Sequence, residues 1–307
     1  MADLESRRAI DQRVDRLLRD ADALRRFPTP VEDIIEAQRL KVSTPEDSPL
    51  SPGMLARAPQ ALQEKLAAVS FKVLAILDRR ERMVHVSPDT DNANPIRFRK
   101  VHEVGHDLCE WQDLTHAIDG RSQLDPATRE LFEREANYAA GRLLFQGEVF
   151  KELVMSYATG MASVVFLADQ MGGSIHATFH QYVTTHLGSV AGYILRRSPI
   201  VDPASGVLRF GVKLELSSPR FTQTHLPVTT LNDVLSSETY PTLQEAWDQL
   251  SHGREYGCGE LRLVRRDASE VLVPFELFSN TYNLFLLIDA SSGRRLTRRT
   301  VFACADR

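Results

Sequence analysis

His102 and His106 stand four residues apart with Glu103 between them, in the pentapeptide HEVGH. On a helix of about 3.6 residues per turn, positions four apart share a face, so both imidazoles can offer a nitrogen to one cation. Glu103 flanks that cation and is placed to take a proton from a water bound to it, which is the chemistry of a hydrolytic centre. Such a site needs a third ligand. The extended pattern HExxHxxGxxH requires Gly at 109 and His at 112, whereas the chain has Cys109 and Gln112, which excludes that arrangement. The other common solution takes a Glu from a second helix and leaves the fourth position to water.

The stretch RELFEREANYAAGRLLF at 129–145 can supply that Glu. Of its two central candidates, helical geometry favours Glu133. It shares a face with Ala136, Asn137, Ala140 and Leu144, a small apolar stripe able to pack on the motif helix, while Glu135 is expected to face outward with Arg142. The predicted metal ligands are therefore His102, His106 and Glu133, with Glu103 as the catalytic base. Asn137, one turn beyond Glu133, is expected to accept from the second ring nitrogen of His102 and fix its tautomer. The oxyanion-stabilising role stays open among His116, Tyr138, His180 and Tyr182. His176 and His180 repeat the four-residue spacing, but no nearby carboxylate or cysteine completes a second site, and they read as helix-surface imidazoles.

The segments VLAILDRRERMVHV, IRFRKVHEVGH and EREANYAAGRLL together resemble the ImmA/IrrE family of metallopeptidases, over roughly residues 30–195. The second helix departs from that pattern at LLFQGEVF, where the family has a Leu-Met-Pro ending. The resemblance implies a zincin-like helical peptidase core with a small β-sheet and a helix-turn-helix-like segment; with the C-terminal α+β domain that the later strand-like runs predict, the chain is expected to be α+β. It implies a cytoplasmic zinc-dependent endopeptidase, with manganese as an ion that can also support activity. The implied substrate is a helix-turn-helix transcriptional repressor whose cleavage induces a stress or mobile-element response. The additional C-terminal domain resembles the three-part IrrE-like architecture, which implies a small-molecule effector there.

The elements that must position these residues can be placed along the chain. Residues 4–27 read as a charged helix, and PVEDIIEAQRL as a second one with Val31, Ile34 and Ile35 inward. Residues 41–53 carry the prolines and glycine of a loop, followed by an expected helix over 54–68. Residues 72–87 alternate as a hairpin across Arg79 and Arg80, whose strand could pair with an extended peptide beside the metal. Residues 148–196 read as short helices, including a helix-turn-helix-like pair around Gly172 and Gly173. Strand-like runs at 207–216, 260–266, 270–278, 283–289 and 295–303 surround a helix at 241–252, and ASSG is expected to close a hairpin between the last two strands. The expected domains are 1–147, 148–198 and 199–307.

Composition narrows the function classes. A chain of 307 residues, 43 % of them hydrophobic, can bury substantial cores. Net charge is −4 and the pI about 6.2, so no overall basic field favours nucleic acid. The second helix of the helix-turn-helix-like pair holds histidines but no Arg or Lys, which argues against DNA binding by the chain itself. The basic run Arg294, Arg295, Arg298 and Arg299 reads as an edge strand. Three widely spaced cysteines argue against a disulfide framework and for a reducing compartment. The charged start MADLESRRAIDQRV lacks the apolar core of a signal peptide, and no run is long enough to span a membrane. Two rivals remain: a metal-sensing transcription regulator, and a non-catalytic protein-binding module on a peptidase-like fold.

Overall fold

The computed structural model describes residues 4–43, 75–79, 81–86, 93–112, 125–228 and 233–295. The expected helix over 54–68, and His116, Arg298, Arg299 and Cys304, lie outside those residues. The chain mixes helices with two β-sheets, in keeping with the α+β class. It divides into two units, Met1–Phe150 with Ala168–Ser174, and Lys151–Leu167 with Ile175–Arg307.

In the first unit, helix α1 (Leu4–Asp20) buries Ile10, Val14, Leu17 and Leu18, the spacing of one amphipathic face. It ends earlier than the charge pattern suggested, because Asp22 and Arg25 adopt left-handed backbone and turn the chain. Helix α2 (Val31–Ala37) buries Val31, Ile34 and Ile35 as expected. Three short strands follow: β1 (Lys41–Val42), β2 (Ala75–Asp78) and β3 (Met83–Val86), in the order β1-β3-β2. The β2–β3 pair is the expected hairpin. The start of the expected loop at 41–53 is instead a strand parallel to β3, since Lys41 N donates to Arg82 O and Ser43 N to Val84 O at 2.8 and 3.0 Å. Among the described residues β2 is an edge strand.

Helices α3 (Ala93–Leu108) and α4 (Pro126–Phe145) carry the sequence motifs. α4 starts sharply: Asp125 accepts from Ala127 N and Thr128 N at 2.9 and 3.0 Å, and Pro126 fills the first turn, where its missing N–H costs nothing. It ends at Gln146, whose left-handed backbone and buried side chain replace the Leu-Met-Pro ending. The Gln146 amide donates to the carbonyls of Ala23 and Arg26 and to Thr29 Oγ1, locking the turn after α1 to the end of α4.

Helix α5 (Glu148–Ser156) precedes the helix-turn-helix-like pair, α6 (Met161–Met171) and α7 (Ile175–Thr185), which are joined through Gly172 in left-handed conformation. α7 belongs to the second unit and packs on its sheet, with Phe179 at 5.2 Å from Phe285 between ring centroids and both Phe179 and Val183 against Gly192. That sheet is built from β4 (Val190–Arg196), β5 (Ile200–Val201), β6 (Leu208–Ser217), β7 (Val234–Ser236), β8 (Tyr256–Val264), β9 (Glu270–Ser279), β10 (Asn283–Asp289) and β11 (Arg294–Arg295), with α8 (Pro219–Thr224) and α9 (Thr242–Ser251) between strands. Strand β4 corrects the helical reading of 190–196. Its near-continuous apolar run reflects burial on both faces, a pattern whose period does not separate helix from strand. α9 covers the opposite face from α7, and Gly257 makes room for it: a Cβ there would stand 2.1 Å from Ala246 O.

The expected β10–β11 hairpin is also corrected. β8 occupies one edge of β9 along its length, and β10 and β11 follow one another on the other edge, with Arg294 opposite Leu272 and Arg295 opposite Val271. No helix among the described residues is long and apolar enough to cross a membrane.

Candidate metal centre

The α3–α4 contact sets the site. Gly105, the small residue inside HEVGH, faces α4 so closely that an added Cβ would lie 2.7 Å from Ala136 O and 3.2 Å from the Ala139 methyl. Glycine and alanine on the facing surfaces therefore bring the histidines of α3 within reach of a side chain one turn back on α4. That side chain is Glu133. Its two oxygens lie 3.3 Å from His102 Nε2 and 3.6 Å from His106 Nε2. The two imidazoles stand edge to face, 4.8 Å between centroids.

The buried stripe of α4 is turned slightly from the one expected. It runs through Phe132, Glu135, Ala136, Ala139, Ala140 and Leu143, so Glu133 sits on its rim, Asn137 is exposed, and Glu135 is only 2 % exposed. The outward placement of Glu135 is thereby corrected. Its carboxylate accepts from Trp111 Nε1 at 2.9 Å and Gln112 Nε2 at 3.0 Å. The expected Asn137–His102 hydrogen bond is not formed: His102 Nδ1 is buried and has no partner among the described residues.

Gln112 supplies the orienting contact, to the other histidine. Because its amide nitrogen must donate to Glu135, its oxygen faces His106 Nδ1 at 2.9 Å and requires a proton there. The lone pair of a neutral His106 ring then sits on Nε2, aimed at Glu133. Position 112 is where the extended HExxHxxGxxH pattern has its third histidine, and a polar amide at that spot was the available sign of this role. Gln112→Leu is expected to weaken zinc binding about 10- to 100-fold while the three ligands remain, the usual cost of losing such a partner. Competition against a chromophoric chelator measures it, and unchanged affinity removes the role.

The end of α3 is fixed from outside. Arg79 donates to His106 O at 2.9 Å and Arg13 to Leu108 O, so cationic side chains satisfy its last carbonyls. Asp107 is held by Arg82 at 2.7 Å and Gln38 at 2.7 Å, and contributes no free carboxylate to the site. Cys109 is buried, and burial with the nearby Glu135 charge pushes its thiol up to about 12, so it is no nucleophile at neutral pH.

The donor set fits a divalent ion. Nitrogen and oxygen ligands at about 2.0–2.1 Å in a tetrahedron stand about 3.3 Å from one another, close to the 3.3 and 3.6 Å found here. One ligand atom from each of His102, His106 and Glu133 lies within 4.8 Å of the others, the one such group among the described residues. Electrostatics state the same demand for positive charge in terms of protons. Hydrogen bonds from His102 and His106 hold the Glu133 carboxyl far below its usual range. Burial disfavours a charged His106, but Glu133, Gln112 and Glu103 outweigh it and raise its pKa. Glu103 beside them is raised above the ordinary carboxylate range, burial outweighing the histidines and a hydrogen bond from the backbone of Leu77 on β2.

Other polar candidates are committed elsewhere. Tyr138 Oη donates to Asp11 at 3.0 Å, and Tyr182 Oη, buried in the second unit, accepts from Gly160 N at 3.3 Å. His176 is exposed and His180 half-buried on α7.

No family model matches the chain, and no curated protein matches it. Among solved structures it is similar to a Mycobacterium tuberculosis transcriptional regulator at 12 % identity and a TM-score of 0.47, over 94 % of this chain and 88 % of that one. A likeness this distant assigns no activity.

Proposed function

We propose that the chain is a zinc-dependent endopeptidase with a zincin-like core, in which His102, His106 and Glu133 hold the ion and Glu103 is the catalytic base. The observation that carries this reading is the convergence of two imidazole nitrogens and one carboxylate from two helices, with a second, half-buried carboxylate, Glu103, next to them and outside that group. Three protein ligands leave one position of a tetrahedron for water, the pattern of catalytic rather than structural zinc. When bound, the ion lowers the pKa of a water and polarises a carbonyl; manganese suits the same donors. Glu103, with its pKa raised by burial, takes a proton from the attacking water and returns it to the leaving amine. β2, an edge strand among the described residues, lies next to Glu103, to which the Leu77 backbone is bonded, and an extended substrate segment pairs along the remainder of that edge by main-chain hydrogen bonds. Its substrate is a helix-turn-helix repressor, as the ImmA/IrrE resemblance suggests, and its setting the cytoplasm.

The test mixes the purified chain with the repressor encoded nearest its gene, with zinc or manganese and with excess chelator. Fragments are expected only with metal. An intact repressor held in a stable, metal-containing complex would mean a binding module, and salt-dependent duplex binding without fragments a regulator.

A further inference from the structure

The second unit carries a cleft of about 720 Å³ at one end of its sheet, where β4 begins and β10 ends. Its size falls within the about 300–1,000 Å³ of small-molecule sites. The lining is cationic. Arg220 comes from α8, while Arg265 and Arg266 come from the turn between β8 and β9, against a single acid, Asp267. Three guanidiniums and one carboxylate leave two net positive charges, and the Asp267 carboxylate is already engaged by Ser269 N and Oγ at 3.0 and 2.6 Å. Among the described residues, none of the three arginines is ion-paired to a carboxylate. Arg266 spends its Nε on Thr222 O at 2.8 Å, a neutral acceptor that leaves its charge uncompensated. Arg265 Nε is buried without a partner among the described residues.

His225 adds a second, independent oddity. It is 2 % exposed, stacked on Phe221 at 4.9 Å, and lines the cleft. Its Nδ1 meets the hydroxyls of Thr224 and Ser189 at 2.8 and 3.2 Å, but its Nε2 has no partner among the described residues. A buried ring nitrogen without a partner is costly, and a polar ligand group within reach removes that cost. Met155 and Leu187 give the cleft an apolar side.

We propose that this cleft binds a small phosphate-bearing molecule of about nucleotide size, its phosphate held by Arg220, Arg265 and Arg266. A phosphate monoester carries about −1.5 to −2 charges at pH 7, which matches the two net positive charges of the lining. Its oxygens suit the guanidinium fork. The cationic groups line one concavity within a chain of net charge −4, which suits a compact ligand better than a duplex, whose binding needs an extended basic stripe.

Calorimetric titration and thermal melting of the full chain at constant ionic strength, with inorganic phosphate, AMP and adenosine, test the site. AMP and phosphate are expected to bind and raise the melting temperature, with no effect of adenosine. Arg220→Gln and Arg265→Gln are each expected to weaken AMP about tenfold or more, the loss of one charge-assisted contact. Arg220 is exposed and makes no side-chain bond among the described residues, so that variant keeps the test valid if Arg265→Gln melts early. Neither AMP nor phosphate binding at millimolar concentration, equal binding by Arg220→Gln, adenosine binding as well as AMP, or duplex DNA competing for the site would each overturn the proposal. Since binding is read directly, the outcome does not depend on peptidase activity.

Discussion

Glu103→Gln is expected to bind zinc as the parent does and to cleave its protein substrate about 10²- to 10⁴-fold more slowly, the range that a positioned general base contributes. The amide keeps the shape of the carboxylate, so the close packing around α3 survives. It also keeps an oxygen to accept from the backbone of Leu77. What it loses is basicity: no proton can be taken from water or passed to the leaving amine. Because His102, His106 and Glu133 are untouched, zinc content by elemental analysis is expected to equal that of the parent, and the melting temperature with zinc to change little. Parental cleavage rates in this variant would remove Glu103 from the mechanism. A variant that loses both zinc and cleavage would show instead that residue 103 shapes the ligand set. The measurement therefore separates a base from a ligand.

The pieces that could be read in the sequence are those whose chemistry depends on local spacing. His102 and His106 are a matter of helical pitch alone, and Glu133 is favoured over Glu135 by the face it shares with a small apolar stripe, although the buried stripe itself runs through Glu135. Glu135 was misplaced because a stripe drawn on a helical wheel has an uncertainty of a residue or so. Its burial is set by tertiary partners, Trp111 and Gln112, whose own positions lie beyond the end of α3. Gln112 entered as the reason to discard one ligand pattern, and the polar amide at that position did not by itself name a partner, because a hydrogen-bond partner has no obligatory residue type. Asn137 failed for the same reason that Glu135 was misread: a small rotation of α4 carries it into solvent.

The fold shows a parallel limit. Alternating strands such as β9, and the amphipathic faces of α1 and α2, declare themselves through a period set by one buried face. β4 is buried on both sides, so its run VAGYILR carries no period to distinguish it. β1 is two residues long and exists only because β3 offers it hydrogen bonds, and β11 pairs with β9 rather than its sequence neighbour β10. Pairing partners distant in sequence leave no mark on the residues of one strand. The cationic cleft belongs to this class too: Arg220 and Arg265 are 45 positions apart and meet only through the end of the sheet.

Glu133→Ala is expected to abolish tight zinc binding, and Glu135→Ala to leave the ligands in place. The total affinity of a four-ligand zinc site is about 10–16 kcal/mol, so one ligand accounts for about 2.5–4 kcal/mol, a loss of about 10²- to 10³-fold. At a zinc concentration 100 times the parental dissociation constant, bound ion stabilises the parent by about 2.7 kcal/mol. Glu133→Ala would forfeit most of that increment. Without metal the same variant should melt close to the parent, because the Glu133 side chain is 61 % exposed and its partners among the described residues are the two histidines. Glu135→Ala inverts the pattern. It removes the acceptor that Trp111 Nε1 and Gln112 Nε2 share and leaves the buried Gln112 amide only the long contact to Phe132 O at 3.5 Å, a cost of about 1–3 kcal/mol, so the metal-free protein should melt earlier. Its zinc affinity should fall only as far as the looser Gln112 releases His106. Melting curves of both variants with and without zinc distinguish the two glutamates in one experiment. If Glu133→Ala keeps the full zinc-dependent rise in melting temperature, the ion does not sit between α3 and α4.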